Sequence, residues 1–295
     1  MGISKGSFEQ SGVFTKIFIL LAITLFFTLI VSPIVALLTF SSPLDMDLLK
    51  LSQLLLSIGV IVLPPIVLAY LISSSPWNYL KTDKKLNWED LILVILYMIL
   101  IIPFVNLLGD LNHHLVLPKV FSGLEMWMKL SEDQATELTQ KFLNVHNFSG
   151  LLYNLFLIAL IPAIGEELYF RGALQGIITQ WKGIEVSIWI TAIIFSTIHF
   201  QFYGFLPRML MGAFFGYLLF WSENLWLAVI GHFTNNAIAV VFYYLKFNGF
   251  KMPDIDSIGF GNTIWVGFVS GAIGICGFFW IKRRFKLKIS RTIKL

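Results

Sequence analysis

Charge is scarce in this sequence. Lysine and arginine total 21 and aspartate and glutamate 17 among 295 residues, or 13% of the chain. A soluble domain carries about 25%. Cysteine is scarcer still. Cys276 is alone, which excludes an intramolecular disulfide and a cysteine-based zinc site. There is no His-Glu-x-x-His run to favour a zinc protease, and no Gly-x-Ser-x-Gly or Ser-Lys logic stands out to favour a serine hydrolase. A cleavable signal peptide is not expected either. The first apolar run is too long and lacks an Ala-x-Ala-like end, so it reads as a retained span.

What the chain has in excess is apolar surface. Hydrophobic residues make up 57%, with 28 Phe and 9 Trp, as suits lipid-facing helices and interfacial belts. The composition is that of an all-α, polytopic integral membrane protein with the bilayer as its first partner. The net charge of +4 is largely a tail effect, from Lys282, Arg283, Arg284, Lys286, Lys288, Arg291 and Lys294. That cluster reads as an anchor on anionic lipid, and no nucleic-acid partner is expected.

Hydropathy predicts about eight transmembrane helices, over about 14–40, 51–72, 91–108, 151–178, 184–200, 207–221, 225–245 and 260–281. They divide into an N-terminal region 1–149 with three spans, a core 150–245, and a last span with its tail, 246–295. An even number of spans puts both termini on one side. Lys5, Lys16, Lys81, Lys84, Lys85, Lys182 and the tail fall there, so the positive-inside rule places that side in the cytoplasm of a cell membrane. Within 109–149, Ser131-Glu132-Asp133-Gln134 fits a capping box, and Ala135, Leu138 and Phe142 follow on one helix face. A short helix there would lie on the membrane surface or cover a cavity. His113, His114 and His146 read as ordinary loop histidines.

The fourth span contains Glu166-Glu167-Leu168-Tyr169-Phe170-Arg171. Each charge at the centre of a membrane helix costs roughly 3 kcal/mol on insertion scales. Such residues face a cavity or a partner. Glu167 and Arg171 are four apart and share a face, so they can pair. Glu166 points about 100° away and needs a partner from elsewhere. Two other spans offer one: the fifth ends Phe195-Ser196-Thr197-Ile198-His199, and the seventh contains His232-Phe233-Thr234-Asn235-Asn236. The expected site lies between helices 4, 5 and 7. Singly, each group has a structural reading, as an intrahelical ion pair or as polar glue between helices. Together, on three helices, they point to a functional site.

A carboxylate taken out of water can serve as a general base near neutrality. Here that is Glu166, with His199 holding the same water. His232 and Asn236 can donate to an oxyanion. Glu166, His199 and His232 also make a His₂Glu set with one open position, the alternative of a zinc cofactor. Depth is an obstacle. Along straight spans His199 falls near the outer end, whereas Glu166 and His232 fall in the cytoplasmic half. Kinks near Pro162, Gly204 and Pro207 would be needed to bring them together.

The three segments resemble the CPBP family, also called Abi, which includes CAAX prenyl endopeptidases of the second type and lysostaphin resistance protein A-like proteins. Its pattern is Glu-Glu-x-x-x-Arg, Phe-x-x-x-His and His-x-x-x-Asn on successive membrane helices. The glycine-containing Met211-Gly212-Ala213-Phe214-Phe215-Gly216-Tyr217 also looks like the family, and the likeness covers about residues 150–245. The resemblance implies an intramembrane endopeptidase with Glu166 as the base and His199 helping. His232 and Asn236 would form the oxyanion side, and Glu167 and Arg171 would be supporting residues. It implies a membrane-bound protein or peptide substrate, of CAAX type or a bacteriocin or other peptide. The family carries a metalloprotease label, and a metal-independent glutamate mechanism has also been argued for it. The alternative reading is a catalytically silent scaffold or bacteriocin-immunity protein of the same fold.

Overall fold

The computed structural model describes residues 4–292 apart from 41, 44, 116, 252 and 254. Among them the fold is all-helical, 83% helix without a strand. We number ten helices: α1 Val13–Phe40, α2 Met46–Ile72, α3 Trp88–Leu100, α4 Ile102–His113, α5 Ser122–Leu143, α6 Phe148–Lys182, α7 Ile184–Thr197, α8 Phe205–Ser222, α9 Leu225–Phe247 and α10 Ile264–Thr292. By length and composition six described helices are long and apolar enough to cross a membrane, or seven if α3 and α4 count as one bent span. The shorter apolar helix α7 stands apart from these. Only 6% of the most apolar window of α1 is buried within the protein. Its outward Phe14, Phe18, Leu21, Leu25 and Leu29 therefore need lipid around them.

Prolines shape the helices that carry the site. The expected continuous third span is bent by 43° between α3 and α4. Pro103 stands in the first turn of α4 and has no N–H for the carbonyl of Ile99, which breaks the ladder there. In α2 and α6 the helix widens into π turns just before a proline, over Ser57–Val62 ahead of Pro64 and Pro65 and over Leu155–Leu160 ahead of Pro162. A second wide stretch, Glu167–Gln175, is buried at all nine residues. Helix α6 is thus the central rod. Leu168, Phe170, Ala173 and Ile177 pack with Leu20 of α1, Leu68 of α2 and Val229 of α9. A second core joins Val94 and Met98 of α3, Phe214 and Leu218 of α8 and Ile281 of α10.

Two expectations change in the peripheral segments. Ser131 is not a helix start, because α5 begins at Ser122 and runs through it for 22 residues. The residues upstream of Ser131 are mostly good helix formers, and a capping box is decisive only where no helix precedes it. Of the face expected there, Phe142 is buried and Leu138 is exposed. In the basic tail, Arg284 is not free for lipid. It donates to Asp90 Oδ1 at 3.0 Å and Glu89 Oε2 at 2.7 Å, clamping α10 to α3. Lys294 and the side chains of Lys288 and Arg291 lie outside the described residues.

Candidate active site

Glu166 and Glu167 diverge as their helical positions require. Glu167 turns into the protein and is fully buried, accepting from Arg171 Nη1 at 2.9 Å and meeting His232 Nδ1 at 2.8 Å, both at Oε1. The Arg171 guanidinium stacks over Phe195 at 4.4 Å. A Cβ at Gly212 would stand 2.8 Å from Arg171 Nη2 and 3.2 Å from the Phe195 ring, so the close approach of α8 requires glycine. Phe215 lies parallel to the His232 ring, with centroids 5.4 Å apart. Aromatic rings therefore pack against both the guanidinium and the imidazole.

Glu166 faces a cavity instead. Its Oε2 is buried without a hydrogen-bond partner among the described residues. His232 Nε2 and His199 Nε2 face that one oxygen at 3.7 and 3.8 Å. These separations exceed a direct hydrogen bond and leave room for one water shared among the three groups. The tautomers follow from the far side of each ring. His199 Nδ1 lies 2.6 Å from the carbonyl of Phe195, which only accepts, so Nδ1 carries the proton. Nε2 then offers a lone pair to the cavity when the ring is neutral. His232 Nδ1 likewise donates to the Glu167 carboxylate.

Helix α7 stops short. Its 14 residues rise about 21 Å at ~1.5 Å per residue, short of a hydrocarbon core of about 30 Å. His199 follows the last turn at once. The chain then reverses through Phe200, whose φ of +53° is a costly left-handed conformation for a bulky residue. It re-enters as α8 at Phe205. Buried Asn112 of α4 holds this re-entrant turn, donating to Phe202 O at 2.7 Å and accepting from Leu206 N at 3.0 Å.

The cavity has a volume of about 470 Å³, and its wall includes Glu166, His199, His232, Asn235 and Asn236. All the candidate catalytic residues therefore meet in one space, with Glu167 and Arg171 directly behind it. Asn236 has a structural bond as well. Its Nδ2 donates, at 3.4 Å, to the carbonyl of Ile158, the one deprived of a partner by Pro162. Its second N–H remains for a ligand. Helix α5 contributes Thr139 and Leu143 to the cavity wall. Glu132 of α5 accepts from Tyr203 N at 3.3 Å, and burial holds its carboxyl above the usual range.

Two wall residues were missed in the sequence, Gln201 and Arg208. The signal for Arg208 was present: one lone charge beside Pro207 within an apolar helix. Among the described residues no group of three or more His, Cys, Asp or Glu side chains is arranged to hold a metal ion.

A second, almost wholly apolar cavity of about 330 Å³ adjoins the first, sharing Val105, Pro207 and Met211 as walls. No curated protein and no solved structure matched the chain. A family model does. The model of the type II CAAX prenyl endopeptidases, Rce1-like, matches residues 148–238, a stretch that holds all three polar motifs.

Proposed function

We propose that this chain is an intramembrane endopeptidase in which Glu166 activates the water that cleaves a peptide bond. The observation that carries the reading is the buried, unpartnered Glu166 Oε2 facing two imidazole Nε2 atoms. Water in that gap gives one hydrogen bond to Glu166 and one to the lone pair on His199 Nε2, which aims its oxygen at the scissile carbonyl. As the oxygen attacks, Glu166 takes the proton. The oxyanion receives hydrogen bonds from the free Asn236 N–H and from His232 when its Nε2 is protonated. Glu166 then returns its proton to the departing nitrogen, the C–N bond breaks, and a carboxylic acid and an amine leave. Glu167 and Arg171 act through His232 and are positioning residues.

The substrate we infer is a membrane-associated protein or peptide. The apolar cavity beside the polar one suits a lipid-modified or strongly apolar segment, with CAAX-type prenylated peptides the first to try. We further infer that both termini face the cytoplasm. Single cysteines placed at each end of a Cys276→Ser protein would then be labelled only from inside. The test of the function incubates purified wild type and Glu166→Ala with prenylated and unmodified membrane peptides, read by mass spectrometry. Cleavage by wild type alone is expected. Equal turnover by Glu166→Ala refutes the reading.

A further inference from the structure

One charge in the cavity has no part in this chemistry. Arg208, in the first turns of α8, lines the wall with Glu166 and His199. Its Nη1 donates to Gln201 O at 3.0 Å and its Nη2 to Gln201 Oε1 at 2.9 Å. A guanidinium has five N–H donors, so most of its capacity stays unused. Among the described residues it makes no ion pair, and the acids whose charges reach it are Glu132 and Glu166.

A neutral amide would serve to tie down the Gln201 backbone. A permanent cation in a membrane cavity is costly and calls for an anion. Glu166 cannot supply that anion and remain free as a base. Glu132 is engaged by the backbone of Tyr203. The incoming substrate is the remaining source, and a peptide offers only carboxylates. They are its C-terminal group or an Asp or Glu side chain. A guanidinium held in one plane by a single neighbour is pre-organised for a bidentate carboxylate.

We propose that Arg208, oriented by Gln201, is a specificity subsite that binds a substrate carboxylate close to the scissile bond, foremost the free C-terminus of a short leaving segment. A cavity of about 470 Å³ with Thr139 and Leu143 of α5 in its wall suits a short tail better than a continuing chain. The inference rests on the endopeptidase reading of the same site.

The test uses one cleavable peptide in three forms: a free C-terminal acid, a C-terminal amide, and an amide with Asp in the leaving segment. Each is given to wild type, Arg208→Gln and Arg208→Lys in detergent, and kcat/KM is measured. Wild type is expected to prefer the acid over the plain amide by about tenfold to hundredfold, the range of a charge-assisted hydrogen bond. The acid-to-amide ratio should collapse toward one in Arg208→Gln and recover in part in Arg208→Lys. A gain for the Asp peptide that is lost in Arg208→Gln extends the subsite to side-chain carboxylates; no gain restricts it to the C-terminus. Equal use of acid and amide by wild type overturns the proposal, and this arm does not depend on any variant folding. A fall of both rates by one factor in Arg208→Gln, with the ratio kept, overturns it in favour of a structural tie. No cleavage of any form by wild type refutes the endopeptidase reading itself, and the subsite with it.

Discussion

Removing one member of the Glu167–Arg171 pair should be far worse for the protein than removing both. The two side chains are 0 and 1% exposed and 2.9 Å apart. Glu167→Leu leaves a guanidinium buried over Phe195 with no counter-charge, and Arg171→Leu leaves a carboxylate held only by His232. Breaking a buried pair from one side costs about 3–5 kcal/mol, whereas replacing both members with apolar residues is often neutral or stabilising. The double variant Glu167→Leu/Arg171→Leu should therefore recover most of the stability lost in either single variant. Activity should follow a different rule. In the double variant His232 Nδ1 has lost the carboxylate that orients it, and misplacing such a group costs on the order of 10²-fold. Unfolding would be followed by denaturant titration in mixed micelles, and turnover with the peptide best cleaved by wild type. Single variants within about 1 kcal/mol of wild type, or a double variant that regains full turnover, would refute the assignment of the pair to His232.

Gly212→Ala drives a methyl against Arg171 Nη2 and Phe195. A loss of about 1–3 kcal/mol is expected, with turnover reduced, and a fully active, equally stable variant would show that α8 can move away. Asn112→Ala leaves the Phe202 carbonyl and Leu206 N–H unpaired at the re-entrant turn, at about 1–3 kcal/mol each. Faster hydrogen exchange across 199–206 would report it. Glu132 binds its proton more tightly in the folded state because it is buried. Docking of α5 should therefore weaken as pH rises above the ordinary value of 4.5; exchange of α5 amides against pH should show this, and Glu132→Gln should flatten the profile. If Glu166 activates water without a metal, peptide cleavage should survive a strong chelator. Loss of activity restored by zinc would contradict that.

The sequence made the chemistry of this site easier to find than its shape. Spacing alone separated the roles of Glu166 and Glu167, since four residues pair Glu167 with Arg171 and a single step turns Glu166 away. Pro162 marked the carbonyl at Ile158 that Asn236 now caps. The depth of His199 was hidden. Residues 184–200 are almost continuously apolar, so hydropathy has no means of showing that α7 ends at Thr197. No glycine marks the reversal at Phe200, whose left-handed backbone is held by its surroundings. Pro103 did carry the bend between α3 and α4, but an unbroken apolar run masked it. The lone charge of Arg208 was visible, but its place in the site, like that of Gln201, was not. They join the site through the re-entrant turn, a tertiary feature with no period in the chain.

The most direct measurement is the single-turnover cleavage rate of Glu166→Gln beside wild type, on one peptide, with unfolding followed in parallel. Glutamine keeps the size of the side chain and removes the base. If Glu166 activates water, the rate falls by about 10²–10⁴-fold or more while the unfolding midpoint stays or rises, because the variant no longer buries an unpartnered carboxylate. A Glu166→Gln protein that cleaves within tenfold of wild type would place the base elsewhere and remove Glu166 from the centre of the mechanism.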